Sequence, residues 1–220
     1  MTLHLFQKEI LKEVLTSWFI VILGSKAFIL FGQLVPAVAD YAGIILSALL
    51  IYVPLLRFYK RDYPIDFLKT KKEQLIVSLS SLLLACGLIF SAAILFVSVM
   101  PGFSFLLHSP QKIGAFLIYQ LVTVAFPEEF FFRGYMQERF NLIWPKNFNF
   151  FGVAIGPSLF VTSLIFALSH SIISFQSWHI LIFFPSLIFG LLREKTGGIW
   201  ASIFFHAFCN LFSFFVMIRL

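Results

Sequence analysis

Hydrophobic residues in this chain fall into long runs that are separated by short charged stretches. A helical run of about 20 apolar residues matches the ~30 Å hydrocarbon core of a bilayer. The pattern therefore predicts an all-α fold, a polytopic bundle of transmembrane helices. The seven predicted spans cover residues 15–33, 36–56, 75–100, 113–132, 153–172, 178–192 and 198–218.

The composition favours the same class of protein. Of the 220 residues, 60% are hydrophobic and only 12% are charged, whereas a soluble domain carries about 25% charged residues. A net charge of +6 would suggest nucleic acid in a soluble protein, but here it indicates loops at the cytoplasmic face, and we expect no nucleic-acid partner. Cys86 and Cys209 both lie in apolar runs, so we expect small buried thiols and no disulfide.

The distribution of Lys and Arg predicts the orientation. With a cytoplasmic N-terminus, thirteen of the sixteen basic residues fall inside and only Lys112 and Arg219 fall outside, as the positive-inside rule requires. The remaining one, Lys26, lies within the first span, where a charge costs roughly 2.5–3.5 kcal/mol. Alternatively, the first segment is interfacial, which leaves six spans and an extracellular N-terminus.

We expect the chain to be integral to the cell (inner) membrane. The first apolar run lacks a small-residue cleavage site, so it is predicted to be an uncleaved span. No internal repeat or low-complexity tract is visible, and residues 1–220 are predicted to form a single integral membrane domain. Residues 113–218 are the predicted catalytic core, whereas the spans within residues 1–112 carry no motif and their role stays open.

Two adjacent carboxylates, Glu128 and Glu129, lie in the most apolar neighbourhood of the chain. Ionised groups inside a bilayer cost several kcal/mol, so they are functional-site candidates. Glu129 and Arg133 are four residues apart and can form an ion pair on one helix face. Because helical neighbours point about 100° apart, Glu128 is predicted to be the freer carboxylate.

Two other spans carry polar side chains at related spacings. His170 follows Phe166 by four residues, and Asn210 follows His206 by four residues. With a rise of ~1.5 Å per residue, the predicted boundaries place these groups and Glu128 at overlapping depths in the cytoplasmic half of the membrane. A carboxylate beside an imidazole can deprotonate water, and a second His with an Asn offers two donors for an oxyanion. The set predicts a water-activating hydrolase.

These residues resemble the CPBP family, the intramembrane glutamic endopeptidases that include the type II CAAX prenyl protease and the bacteriocin-processing type. That family carries Glu-Glu-x-x-x-Arg, Phe-x-x-x-His and His-x-x-x-Asn in this order on separate helices. The chain has the three motifs at Glu128–Arg133, Phe166–His170 and His206–Asn210. The stretch Gly190–Trp200 also looks like the linker that precedes the last motif in bacterial members.

The resemblance implies an endopeptidase that cuts a membrane-associated peptide or protein tail. Glu128 would be the general base that activates water, and His170 would assist it. His206 and Asn210 would form the oxyanion site. Glu129 would act either directly or as a supporting residue, and Arg133 would be a supporting residue. The full matched set is Glu128, Glu129, Arg133, His170, His206 and Asn210.

Two alternatives stay open. Glu128 or Glu129 with His170 and His206 could hold zinc, although the His-Glu-x-x-His pattern of helical zinc proteases is absent; we expect no cofactor. A non-enzymatic transporter subunit or immunity protein is the other alternative, and the absence of internal repeats argues against a transporter.

The sequence leaves open the oligomeric state and whether the substrate is a prenylated tail, a leader, a bacteriocin or a sorting tail.

Overall fold

The computed structural model describes residues 3–61, 65–68, 72–99, 103–105 and 109–218. Short 3-10 segments lie at Asp66–Leu68 and Ser177–Ile182. In this part of the chain, β1 (Phe103–Phe105) pairs antiparallel with β4 (Val216–Ile218), and β2 (Phe148–Phe150) pairs antiparallel with β3 (Val153–Ile155). The helices are α1 (Leu3–Leu34), α2 (Pro36–Ala39), α3 (Ala42–Arg61), α4 (Lys72–Val99), α5 (Pro110–Asn141), α6 (Pro157–Ser174), α7 (Phe183–Thr196) and α8 (Trp200–Phe215).

The predicted all-α membrane bundle is confirmed. Four of the described helices, α1, α3, α5 and α6, are long and apolar enough to cross a bilayer, and α8 is a shorter apolar helix. Each of the seven predicted spans contains one main helix, since α4 and α7 fall in the third and sixth spans. The orientation stays a prediction, and Lys69, Lys71 and Arg219 of its charge count lie outside the described residues.

The helix that contains the fourth predicted span is longer than the span. The span was predicted to end at residue 132, and α5 continues to Asn141. Arg133 and Arg139, which the predicted orientation counts on the cytoplasmic side, are both helical and nearly completely buried. A charged residue ends an apolar run, yet a helix continues through it when other parts of the bundle supply its partners.

The fifth and sixth predicted spans also have different boundaries. The fifth predicted span, residues 153–172, begins within the β2–β3 hairpin of residues 148–155, and its helix begins at Pro157. A short apolar run does not by itself distinguish a strand from a helix, so the sequence did not predict the hairpin. The sixth span begins with a 3-10 segment, and its α-helix continues to Thr196.

Helix α5 departs from regular α geometry around the two carboxylates. It widens into π-helix at Gln120–Ala125 and Phe130–Gln137, on either side of a short α-helical turn that contains Pro127. Pro127 has no N–H to donate to the preceding turn. The Thr123 carbonyl oxygen instead lies 2.5 Å from Ser47 Oγ of α3, which donates to it. Such π segments often occur at functional sites, and α3 stabilises this one.

The core is built around α5. Phe130, Phe131 and Phe132 are nearly completely buried, so this triplet is packing surface rather than lipid-facing surface. Gly134 allows Phe67 to pack closely, because a Cβ at this position would lie 2.5 Å from the Phe67 ring. The carboxylates are thereby held in a tightly packed part of the bundle.

Candidate active site

Glu129 is a fully buried carboxylate with two charged or polar partners. Its Oε2 lies 3.3 Å from Arg133 Nε, one turn further along α5, as the four-residue spacing predicts. Its Oε1 accepts a hydrogen bond of 2.9 Å from Nδ1 of His206 on α8. Glu129 therefore connects α5 to α8 and is balanced by the guanidinium.

Arg133 is fully buried and is held by two other helices. Its Nη2 donates to the carbonyl oxygen of Ser186 on α7 at 3.0 Å and to the hydroxyl of the same residue at 2.7 Å. The guanidinium also lies 4.5 Å from the centre of the Phe166 ring and 5.3 Å from that of Phe189. Sequence reasoning missed Ser186, for which the available signal was a small polar residue inside an apolar run.

Glu128 faces two imidazoles. Its Oε2 lies 3.5 Å from Nε2 of His170 on α6 and 3.8 Å from Nε2 of His206 on α8. Glu128 is 9% exposed, whereas Glu129 is completely buried. Three helices that are far apart in the sequence thus bring a carboxylate and two imidazoles together, and Glu128 is the more accessible carboxylate.

The second nitrogen of each imidazole is fixed by a protein group. His170 Nδ1 donates to the carbonyl oxygen of Phe166 at 2.9 Å, because a carbonyl can only accept. His206 Nδ1 donates to Glu129, and its ring stacks on Phe189 with centroids 4.8 Å apart and planes at 13°. The Nε2 atoms of both rings are consequently directed towards Glu128.

Asn210 lies one turn after His206 on α8, but its amide is engaged elsewhere. Its Nδ2 donates to Oε1 of Gln120 on α5 at 2.7 Å. Among the described residues, no hydrogen bond joins Asn210 to Glu128 or to either histidine of the cluster. Asn210 therefore ties α8 to the first π segment of α5 in this conformation, and its assignment to the oxyanion site stays a prediction.

A cavity of about 120 Å³ opens beside the cluster. Glu128, Ser169, His170, Ser174 and His179 form its polar side. Most of the apolar residues in its wall come from the first half of the chain, which carries no motif. Helices α1 and α3 contribute Val21, Ile22, Leu46 and Leu50.

A second polar cluster lies near the end of α5. Glu194 of α7 accepts hydrogen bonds from Gln137 and Asn141 on Oε1 at 2.7 and 2.8 Å, and its Oε2 lies 2.5 Å from Lys146 Nζ. Burial raises the pKa of the Glu194 carboxyl, but the hydrogen bonds from Lys146, Asn141 and Gln137 outweigh it and lower the net pKa. This cluster attaches α7 to the end of α5.

The carboxylates and imidazoles of the main cluster are also of the types that bind metal ions. Within the described part of the chain, no three His, Cys, Asp or Glu side chains are arranged so that they could hold a metal ion. Cys86 and Cys209 are free thiols. The described carboxylates and imidazoles pair instead with one another and with Arg133.

The fold and the site define a class of protein, an all-α membrane bundle with two carboxylates and two imidazoles gathered in its interior. Residues 110–212 match the family model of the Rce1-like type II CAAX prenyl endopeptidases. This segment contains all three motifs, and across it the chain is similar to the Rce1-like family of type II CAAX prenyl endopeptidases. The comparisons with curated proteins and with solved structures gave no match.

Proposed function

We propose that this protein is a glutamic intramembrane endopeptidase in which Glu128 activates the attacking water and His170 assists. The position of Glu128 Oε2, within 4 Å of two imidazole Nε2 atoms and beside a cavity, is the observation that carries the proposal. The match of residues 110–212 to the Rce1-like family model supports peptide hydrolysis. The assignment of roles to individual residues rests on the geometry of the cluster.

Charge balance suggests the protonation states of the cluster. Two buried carboxylates, Glu128 and Glu129, require two positive charges if both are ionised, and Arg133 supplies one of them. His206 is the imidazole with a carboxylate near each nitrogen, at 2.9 and 3.8 Å, so it is the best placed to carry the second. In this arrangement its Nε2 bears a proton and can donate to a developing oxyanion.

His170 has a different position. Its Nδ1 proton is held by the Phe166 carbonyl, so the neutral ring offers a lone pair on Nε2. A water between this nitrogen and Glu128 can donate one proton to each and direct its oxygen lone pair at a substrate carbonyl. Glu128 then accepts the proton as the water attacks. The proton passes from Glu128 to the leaving amine when the tetrahedral intermediate collapses.

Asn210 is proposed as the second donor of the oxyanion site. Its present acceptor, the side chain of Gln120, lies on the π segment that precedes the carboxylates. Replacing this acceptor with a substrate oxyanion requires only a rotation of the amide, since Asn210 and His206 lie one turn apart on the same helix. Oxyanion donors often align only in the substrate complex.

The substrate is proposed to be a membrane-associated peptide or protein tail, cut in the cytoplasmic half of the inner membrane. The apolar wall of the cavity, formed by α1, α3 and α6, suits an apolar side chain or lipid group next to the scissile bond. The reaction is proposed to need no metal, because Arg133 and His206 supply the positive charges beside the carboxylates. Identifying the tail as a leader, a bacteriocin or a prenylated segment requires the substrate itself.

The test is cleavage of internally quenched, membrane-anchored peptides by the purified full-length protein in liposomes. Wild type is compared with Glu128→Gln, which keeps the shape and removes the base, and with Glu9→Gln, an exposed carboxamide control on α1. We expect Glu128→Gln to lower kcat by about 10³-fold and the control to cleave as wild type. Equal cleavage by wild type and Glu128→Gln would remove Glu128 from the mechanism.

The same assay decides metal dependence. Protein that is treated with a chelator before reconstitution should cleave at the untreated rate. Activity that is lost on chelation and returns with zinc would favour a zinc protease built on the same carboxylate and imidazoles.

A further inference from the structure

Lys26 is a charged residue in the middle of the apolar helix α1. Its Nζ donates to the carbonyl oxygens of Ile172 and Ile173 at 3.0 and 3.1 Å. It also lies over the ring of Phe175. The ammonium group of Lys26, for which the sequence shows no partner, thus lies at the C-terminus of α6, the helix that carries His170.

A cation stabilises this end of α6. The last carbonyl groups of a helix have no intrahelical donor and carry the negative end of the helix dipole. Helix α6 ends at Ser174, and Phe175 adopts the left-handed conformation with a φ of 55°. Lys26 supplies a charged donor to two of these carbonyls, those of Ile172 and Ile173.

A second residue of α1 contacts α6 on the other side of His170. Trp18 Nε1 donates to the hydroxyl of Ser169 at 2.8 Å, and this hydroxyl donates in turn to the Ile165 carbonyl. Trp18 and Lys26 are eight residues apart on α1, so they lie on the same face. Their contacts fall directly before and two residues after His170.

We infer that α1 positions His170 for catalysis, through Trp18 at Ser169 and through Lys26 at the C-terminus of α6. Within the described part of the chain, the only hydrogen bond of the imidazole is the one that its Nδ1 donates to the Phe166 carbonyl on the same helix. Its distance from Glu128 Oε2, 3.5 Å, therefore depends on where α6 lies. Lys26 and Trp18 touch no reacting atom and are positioning residues. The inference rests on the proposed function for its effect on the rate.

Cleavage by the full-length protein in liposomes provides the first test. Lys26→Met is compared with Lys26→Arg, which retains the cation, and with Lys12→Met, which removes an exposed lysine from the same helix. Because a misplacement of about 1 Å can cost 10²-fold in rate, we expect Lys26→Met to lower kcat at least tenfold with an unchanged KM. Lys26→Arg should recover most of kcat, and Lys12→Met should match wild type.

A spectroscopic measurement tests the same inference without catalysis. In protein with ¹⁵N-labelled histidine, the ring resonances of His170 are assigned by comparison with His170→Asn. Lys26→Met should shift them and leave those of His206, which is bound to Glu129, in place. Trp18→Phe should give a smaller shift of the same resonances.

The outcomes separate this inference from the proposed function. Unchanged His170 resonances in Lys26→Met, or a wild-type kcat in that variant, would overturn the positioning role. Equal shifts at His170 and His206, with a lower unfolding temperature, would show a merely structural role and also overturn it. If wild type cleaves no peptide but Lys26→Met shifts His170 alone, the proposed function fails and the positioning of His170 stands.

Discussion

At the scale of single residues, the site depends on how buried charges are paired. Glu129 and Arg133 are both fully buried, 3.3 Å apart, and each has a further polar partner on another helix. Removing one member of such a pair leaves an uncompensated charge in an apolar interior. That cost exceeds the net stabilisation that the intact pair provides.

Glu129→Gln should therefore destabilise the fold strongly. We expect a loss of about 3–5 kcal/mol in the free energy of unfolding, because Arg133 keeps its charge without a counterion. Denaturant unfolding in detergent micelles measures it. The double variant Glu129→Gln with Arg133→Met should regain part of the loss. Equal stability of Glu129→Gln and wild type would show that the pair is solvated.

Gly134 is required by the packing of Phe67. We expect Gly134→Ala to cost about 1–3 kcal/mol, because the buried aromatic ring has to move. Gly114 lies on the same helix with no atom within 4 Å of an added Cβ, so Gly114→Ala is the matched control and should be neutral or stabilising. Thermal unfolding of both variants measures the difference, and equal shifts would contradict the explanation from packing.

At the scale of elements, irregular segments place the functional groups. The π segments of α5 surround the turn with the carboxylates, and Ser47 of α3 donates a hydrogen bond to the Thr123 carbonyl, one turn before Pro127. The β2–β3 hairpin fills the connection between α5 and α6 with a two-residue turn at Phe151 and Gly152, both with positive φ. Tight two-residue hairpins favour this left-handed backbone, and Asn-Gly is the preferred pair.

Phe151→Asn should consequently stabilise the hairpin. A phenylalanine with a φ of 47° is strained, and asparagine tolerates this conformation much better. We expect a gain of about 0.5–1 kcal/mol, measured as a higher unfolding temperature. Gly152→Ala is the opposite control, since its φ of 79° suits glycine, and it should destabilise. A lower unfolding temperature for Phe151→Asn would show that the exposed ring contributes more than the strain costs.

At the scale of the whole molecule, buried polar clusters help to hold the bundle together, and two of them lie in the half that carries the motifs. One is the candidate site, which joins α5, α6, α7 and α8. The other surrounds Glu194 and attaches α7 to the end of α5 and to Lys146 before the hairpin. The helices of the first half of the chain complete the cavity and hold α6, so the part without motifs contributes to the site.

The Glu194 cluster should make stability depend on pH in the acid range. Its folded-state pKa is lowered from the ordinary 4.5, so the folded state binds this proton less readily than the unfolded state. Its contribution is complete above about pH 4.5 and is lost as the pH falls through the folded-state pKa. Unfolding of wild type and Glu194→Gln between pH 3 and 7 measures it, and an identical pH dependence of the two would contradict the assignment.

The sequence by itself determined the membrane class and the helical fold, and it predicted the six candidate site residues. These follow from features along the chain: runs long enough to cross a bilayer, and spacings of four residues that place two side chains on one helix face. The pairing of Glu129 with Arg133 could be predicted because both partners lie on one helix.

Only the tertiary structure decided which groups from different helices meet. It placed His206 between the two carboxylates, turned Asn210 towards Gln120, and directed Lys26 to the end of α6. It also showed that Arg133 and Arg139 are buried and that a hairpin precedes α6. The contacts of His206, Asn210 and Lys26 join residues more than 70 positions apart. They depend on how the helices pack, which no local pattern of apolar and polar residues specifies.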